Sequence, residues 1–139
     1  HFGVKILDEQ KNRKYTIRYN AQKNVISKDT SEVMKKILES VVSEGGGKMA
    51  YSPKVSIAGK TGTAQIAAAG EYSKGHYVAS FVGFWPEEKP RYVMMISLGE
   101  PKGARYYGGQ IAAPIFKSIA EDIMQISPSG NGPMRTKAN

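Results

Sequence analysis

The sequence predicts an α+β fold, an antiparallel sheet flanked by helices, and three observations carry that expectation. Two stretches place apolar residues at helical spacing, three others have the length and content of strands, and the strands follow one another between the two helices. The chain of 139 residues has room for one hydrophobic core.

The elements follow in order. Phe2 to Leu7 and Tyr15 to Tyr19 have strand-like content and flank the polar stretch Asp8 to Lys14, which reads as a peripheral hairpin. Ser27-Lys28-Asp29-Thr30 then offers several helix N-caps. Val33, Met34, Ile37, Leu38, Val41 and Val42 fall on one helical face, opposite Glu32, Lys35, Lys36 and Glu39. That helix ends at Gly45-Gly46-Gly47, where glycine permits a left-handed exit. Val55 to Gln65 reads as a strand and Ala67 to Gly75 as a small-residue loop.

Val78 to Trp85 and Tyr92 to Leu98 are apolar on both alternating faces, and Pro86 to Pro90 joins them at hairpin length. Such strands are expected to be central, with helices above and below. Val55 to Gln65 differs, because Thr61, Thr63 and Gln65 make its second half polar on one face, as suits a sheet edge or a cleft. After a loop from Gly99 to Gly109, Ile111, Ile115, Ile119 and Ile123 form the stripe of a second helix, with Pro114 expected in its first turn. Residues 1–126 make up the domain, and 127–139, which contain Ser-Pro-Ser-Gly-Asn-Gly-Pro, read as a disordered tail.

Composition narrows the function. Cysteine is absent, which removes disulfides, thiolate metal sites and cysteine nucleophiles together. His1 and His76 are the only imidazoles, one terminal and one in a predicted loop, so neither a histidine metal site nor a Ser-His-Asp triad is expected, and no cofactor. The net charge of +8 invites a nucleic-acid reading, but the basic residues are scattered among acidic ones, and no nucleic-acid partner is expected. No apolar run approaches the roughly 20 residues of a membrane-spanning helix.

One segment has the character of a binding site. Gly59-Lys60-Thr61-Gly62-Thr63 puts one cation and two hydroxyls on a strand, a grouping that suits a carboxylate ligand. Thr61 and Thr63 share a side by the two-residue strand period, and the flexible Lys60 stem can curl round the strand to reach the same space. Gly62 lets another backbone approach, so that a substrate could pair along the strand. Lys-Thr-Gly alone arises in roughly three per cent of chains this long, so the tripeptide by itself is weak. A phosphate-binding loop would need glycine where Lys54 stands and a helix after the lysine, and the sequence offers neither.

Lys60-Thr61-Gly62-Thr63-Ala64-Gln65 resembles the third signature of penicillin-binding proteins, in the form of the class B transpeptidases. Glu44 to Ala50, Ala79 to Phe84, Glu100 to Gly103, Tyr107 to Gly109 and Ala112 to Phe116 resemble, in order, the segments around it. The family often has threonine where Gly46 stands. The resemblance implies the C-terminal part of a transpeptidase domain, a partial penicillin-binding/serine β-lactamase-like fold. It implies D,D-transpeptidation of peptidoglycan stem peptides, acylation by β-lactam antibiotics, and a place outside the cytoplasmic membrane. The upstream part of the same domain, and cell-division or elongation proteins, are the implied protein partners.

By the same resemblance Lys60 stabilises the site electrostatically, Thr61 and Thr63 bind the substrate or drug carboxylate with Gly62 between them, and the Thr63 N–H completes an oxyanion hole. No serine in this chain is followed three residues later by lysine, so the nucleophile is expected outside it. Ser-x-Asn occurs only as Ser129-Gly130-Asn131, after the Lys-Thr-Gly strand instead of before it, and reads as coincidence. Two other readings stand beside the leading one: a non-catalytic module binding peptidoglycan or a partner through the same surface, and a β-lactamase or β-lactam sensor of the same fold.

Overall fold

The computed structural model describes residues 5–7, 13–16, 24–68 and 71–126. Strands β1 (Lys5–Leu7) and β2 (Arg13–Thr16) form an antiparallel pair. The second strand of this hairpin starts earlier than the sequence suggested, with Arg13 and Lys14 in it instead of in the turn, and residues 17–19 of the expected strand lie outside the described residues. Helix α1 (Lys28–Ser43) leads through a short 3-10 turn (Lys48–Ala50) into β3 (Ala58–Ala68), β4 (Glu71–Trp85), β5 (Tyr92–Gly99) and helix α2 (Gly108–Ile126). The three strands form an antiparallel sheet in the order β3-β4-β5.

Local chemistry explains the element ends. Ser27 caps α1, its Oγ accepting from the Thr30 N–H at 3.1 Å, which satisfies one of the orphan donors of the first turn. At the other end the three glycines do not supply a left-handed exit, since the positive-φ residues among the described ones are Asn24, Glu100 and Gly103. They allow close approach instead. The N–H groups of Gly45 and Gly47 reach back to the carbonyls of Ser40 and Val41, and a Cβ on Gly45 would stand 2.9 Å from the Val41 backbone.

In the stretch from Ala67 to Gly75 the described residues are strand, not the loop that its small residues suggested. β3 runs to Ala68 and β4 starts at Glu71, with Ala67 opposite Tyr72 and Ala68 opposite Glu71 after a register shift beyond Gln65. Pairing satisfies backbone groups whatever the side chains, so two alanines continue a strand that a partner already templates. Helix α2 likewise begins three residues before Ile111, which moves Pro114 from the first turn into the second. Residues 127–139 lie outside the described residues.

The core lies on one face of the sheet. Phe81 and Trp85 of β4, Phe116 of α2 and Val42 of α1 are its largest fully buried side chains. Phe116 meets Phe81 and Trp85 edge-on, with ring centroids 4.8 and 5.3 Å apart. Ser52 locks the approach to β3 onto α2: its Oγ donates to Glu121 Oε1 at 2.7 Å and accepts from the N–H groups of Lys54 and Val55.

Among the described residues the opposite face is open, so the helices expected above and below these strands are not both supplied by this chain. Along β5, Tyr92, Met94, Ile96 and Leu98 pack against the core while Val93 and Met95 are 78% and 61% exposed, and Val82 of β4 is 45% exposed. The two-sided apolar pattern of these strands is real, but the helices of this chain cover one side of it.

Candidate active site

The Lys-Thr-Gly segment occupies the outer strand of the described sheet. Lys60 pairs with Val82, Thr61 with Phe81, Gly62 with Ser80 and Thr63 with Ala79. The direction of the backbone groups follows from the ladder. The Tyr77 and Trp85 carbonyls accept from Glu100 and Arg91, on the β5 side. Backbone hydrogen bonds alternate between the two neighbours along a strand, so Ser80 and Val82 serve β3 and bond Gly62 and Lys60. Thr61 and Thr63 therefore turn their N–H and C=O groups to the outer edge, where an extended ligand can pair with them.

Side chains divide between the faces. Thr61 and Thr63 point to the face that carries α2, and a cleft of about 360 Å³ opens beside them. Tyr107, Gly109 and Gln110 line it from the start of α2, and Gly46, Lys48 and Met49 from the segment after α1. Thr63 Oγ1 accepts the Gly108 N–H at 3.1 Å. Glycine is required at 108, because a Cβ there would collide with the carbonyls of Ser80 and Gly62.

Lys60 stands on the other face. Its ammonium curls to the strand's outer edge, as its stem allows, but donates to the Thr61 carbonyl oxygen at 3.0 Å instead of joining the two hydroxyls. Gly62 also has a second role, since a Cβ on it would come within 2.5 Å of Ser80 Oγ on the neighbouring strand. The structure thus brings Thr61 and Thr63 together in one cleft and leaves Lys60 at its rim.

Sequence reasoning missed an aromatic group beside the cleft. Tyr77 stacks on Tyr106 at 4.3 Å, Tyr106 packs on Tyr107 at 4.4 Å, and the Tyr106 hydroxyl donates to that of Tyr107. That hydrogen bond holds the Tyr106 hydroxyl above the usual phenol range. The adjacent pair Tyr106-Tyr107 was visible, but Tyr77 joins it only through folding. His76 stands in β4 and not in a loop, with Nδ1 3.0 Å from Glu100 Oε1. Among the described residues no cluster of His, Asp or Glu could hold a metal ion.

Comparison with known proteins decides the family. The model of the penicillin binding protein transpeptidase domain matches residues 3–121. The chain belongs to this transpeptidase family. Stage V sporulation protein D of Bacillus subtilis is 42% identical over 104 residues, covering 75% of this chain and 16% of that protein. The peptidoglycan D,D-transpeptidase FtsI of Buchnera aphidicola is 44% identical over 106 residues, covering 75% of this chain and 18% of its own length.

Among solved structures, the transpeptidase domain of Burkholderia pseudomallei penicillin-binding protein 3 is 36% identical with a TM-score of 0.69, covering 78% of this chain and 34% of that one. Penicillin-binding protein 3 of Mycobacterium tuberculosis is 31% identical with a TM-score of 0.70, covering 94% of this chain and 31% of that one. The chain thus spans less than a fifth of these curated relatives and about a third of these solved chains. The transpeptidase family expected from Lys60 to Gln65 and its flanking segments is the family found, and the sheet and two helices match part of its fold.

Proposed function

We propose that this chain is the substrate-binding part of a peptidoglycan D,D-transpeptidase that cross-links stem peptides and is acylated by β-lactams. The observation that carries the reading is the outer edge of β3, where the N–H and C=O groups of Thr61 and Thr63 face outward beside a cleft that both threonines line. A stem peptide or β-lactam pairs along that edge as an added strand. Thr61 and Thr63 take its carboxylate, Gly62 lets the ligand backbone lie close, and the Thr63 N–H donates to the oxyanion that develops at the attacked carbonyl. Lys60, at the rim, supplies positive charge to the same space.

The nucleophilic serine and its lysine come from outside these 139 residues, in the upstream part of the same domain, which covers the open face of Val82, Val93 and Met95. By itself the chain is inactive. The names of the relatives, a peptidoglycan D,D-transpeptidase and a sporulation protein, support a role in cell-wall synthesis, and the reading places the chain at the outer face of the cytoplasmic membrane. The solved complex of the Mycobacterium tuberculosis relative with ampicillin supports β-lactam recognition by this fold.

Intact mass after incubation with a reactive penicillin tests the reading. The full-length protein carrying this chain is expected to gain one penicilloyl adduct and the 139-residue chain none. An adduct on the chain alone would place the nucleophile within it. No adduct on either would leave the non-catalytic binding module of the same fold.

A further inference from the structure

Lys60 and the two threonines stand on opposite faces of β3, as the strand period requires, and the Lys60 ammonium is engaged by the Thr61 carbonyl. The cleft on the threonine face has a cation of its own. Lys48, the first residue of the 3-10 turn, lines it. Among the described residues it is the one charged side chain lining the cleft, no carboxylate faces it there, and it forms no ion pair.

The groups around Lys48 are hydrogen-bond donors. Thr63 Oγ1 already accepts from Gly108, so the hydroxyl proton of Thr63 is available to a ligand. Thr61 adds a second hydroxyl and Gln110 an amide. The cleft is open on the side of the neighbouring Gly46, where even a Cβ would meet no atom within 4 Å. An unpaired ammonium, two hydroxyls and an amide around a cleft of about 360 Å³ form an environment for a carboxylate.

We propose that Lys48 is a carboxylate-binding residue of the substrate site, a second cation placed so that Lys48 and Lys60 bracket the edge of β3. Its ligand is a peptide or acyl compound lying along β3 with its carboxylate on the threonine face. An exposed ammonium acts mainly on encounter and orientation, drawing the anionic end of the ligand to the threonines. This inference rests on the transpeptidase reading above and adds a residue that the Lys-Thr-Gly motif does not contain.

The test compares acylation of the full-length protein by benzylpenicillin and by its methyl ester, which lacks the negative charge. Lys48→Gln is expected to slow benzylpenicillin acylation by roughly three- to fivefold, more at low ionic strength, with Lys48→Arg retaining most of the rate. The ester is expected to be indifferent to both changes. Equal slowing of acid and ester would make Lys48 structural and overturn the proposal. If Thr61→Val slowed the acid while Lys48→Gln slowed neither compound, the Lys48 role would fall and the transpeptidase reading would stand. A wild-type protein acylated by neither compound would sink both.

Discussion

The N–H of Gly108 donates to Oγ1 of Thr63 at 3.1 Å, which ties the first residue of the last helix to the strand that carries the Lys-Thr-Gly motif. Forty-five positions separate the two residues, and the contact holds only because Gly108 has no side chain. The hydroxyl of Thr63 is thereby oriented by the backbone of α2, and its geometry depends on how that helix sits on the sheet.

Gly108→Ala tests this seating. The added methyl meets the carbonyls of Ser80 and Gly62, so the start of α2 must lift from the sheet. The expected cost is about 1–3 kcal/mol in chemical denaturation. Acylation of the full-length protein should fall further than stability explains, because Thr63 loses its partner. Unchanged acylation would show that the hydroxyl needs no such anchor.

Phe116→Ala tests the core. Phe116 is fully buried and contacts Phe81 and Trp85 edge-on, so truncation removes two aromatic contacts and opens a cavity. A loss of about 3–5 kcal/mol is expected in denaturant titration. A loss below about 1 kcal/mol would mean that α2 is not the main cover of this face.

Glu88 gives a pH-dependent signal in the turn between β4 and β5. The Ser56 hydroxyl donates to its carboxylate at 2.6 Å, and that bond, with smaller contributions from the Glu88 backbone N–H and the Lys35 charge, holds the carboxyl below its usual value. A depressed folded pKa means stability that is present above the ordinary carboxylate pKa and is lost as pH falls through the lowered one. The group is exposed, so the effect stays below about 1 kcal/mol. An NMR titration should show the Glu88 midpoint rising toward the ordinary value in Ser56→Ala, and no movement would refute the coupling.

Val93 and Met95 lie side by side on the open face of β5. An apolar face of this kind drives self-association when nothing covers it. The 139-residue chain should therefore associate in sedimentation, and Val93→Thr with Met95→Lys should shift it toward monomer with little change in melting temperature. A monomer at high concentration without these changes would argue that the face is too small to matter.

The sequence-level reading succeeded where side-chain pattern and local chemistry agree. The stripe from Val33 to Val42 identified α1, the cap residues around Ser27 located its start, and the apolar runs around Phe81 and Ile96 identified two strands. It failed where pairing overrides composition, as at Ala67 and Ala68, which are strand because Tyr72 and Glu71 lie opposite them. Similarly, the glycines after α1 were legible as a stop but not as a close approach to Val41.

By itself the sequence determined the order of the elements, the transpeptidase family and the threonine pair on one side of a strand, because each depends on residues close together in the chain. Only the tertiary structure decided which residues share the cleft. Lys48, Thr63 and Gln110 come from three separate segments, and the Lys60 ammonium ends on a carbonyl instead of on the hydroxyls beside it. The physical reason is that backbone pairing fixes the strand's register and faces, while the packing of α2 through Phe116 fixes what stands opposite them.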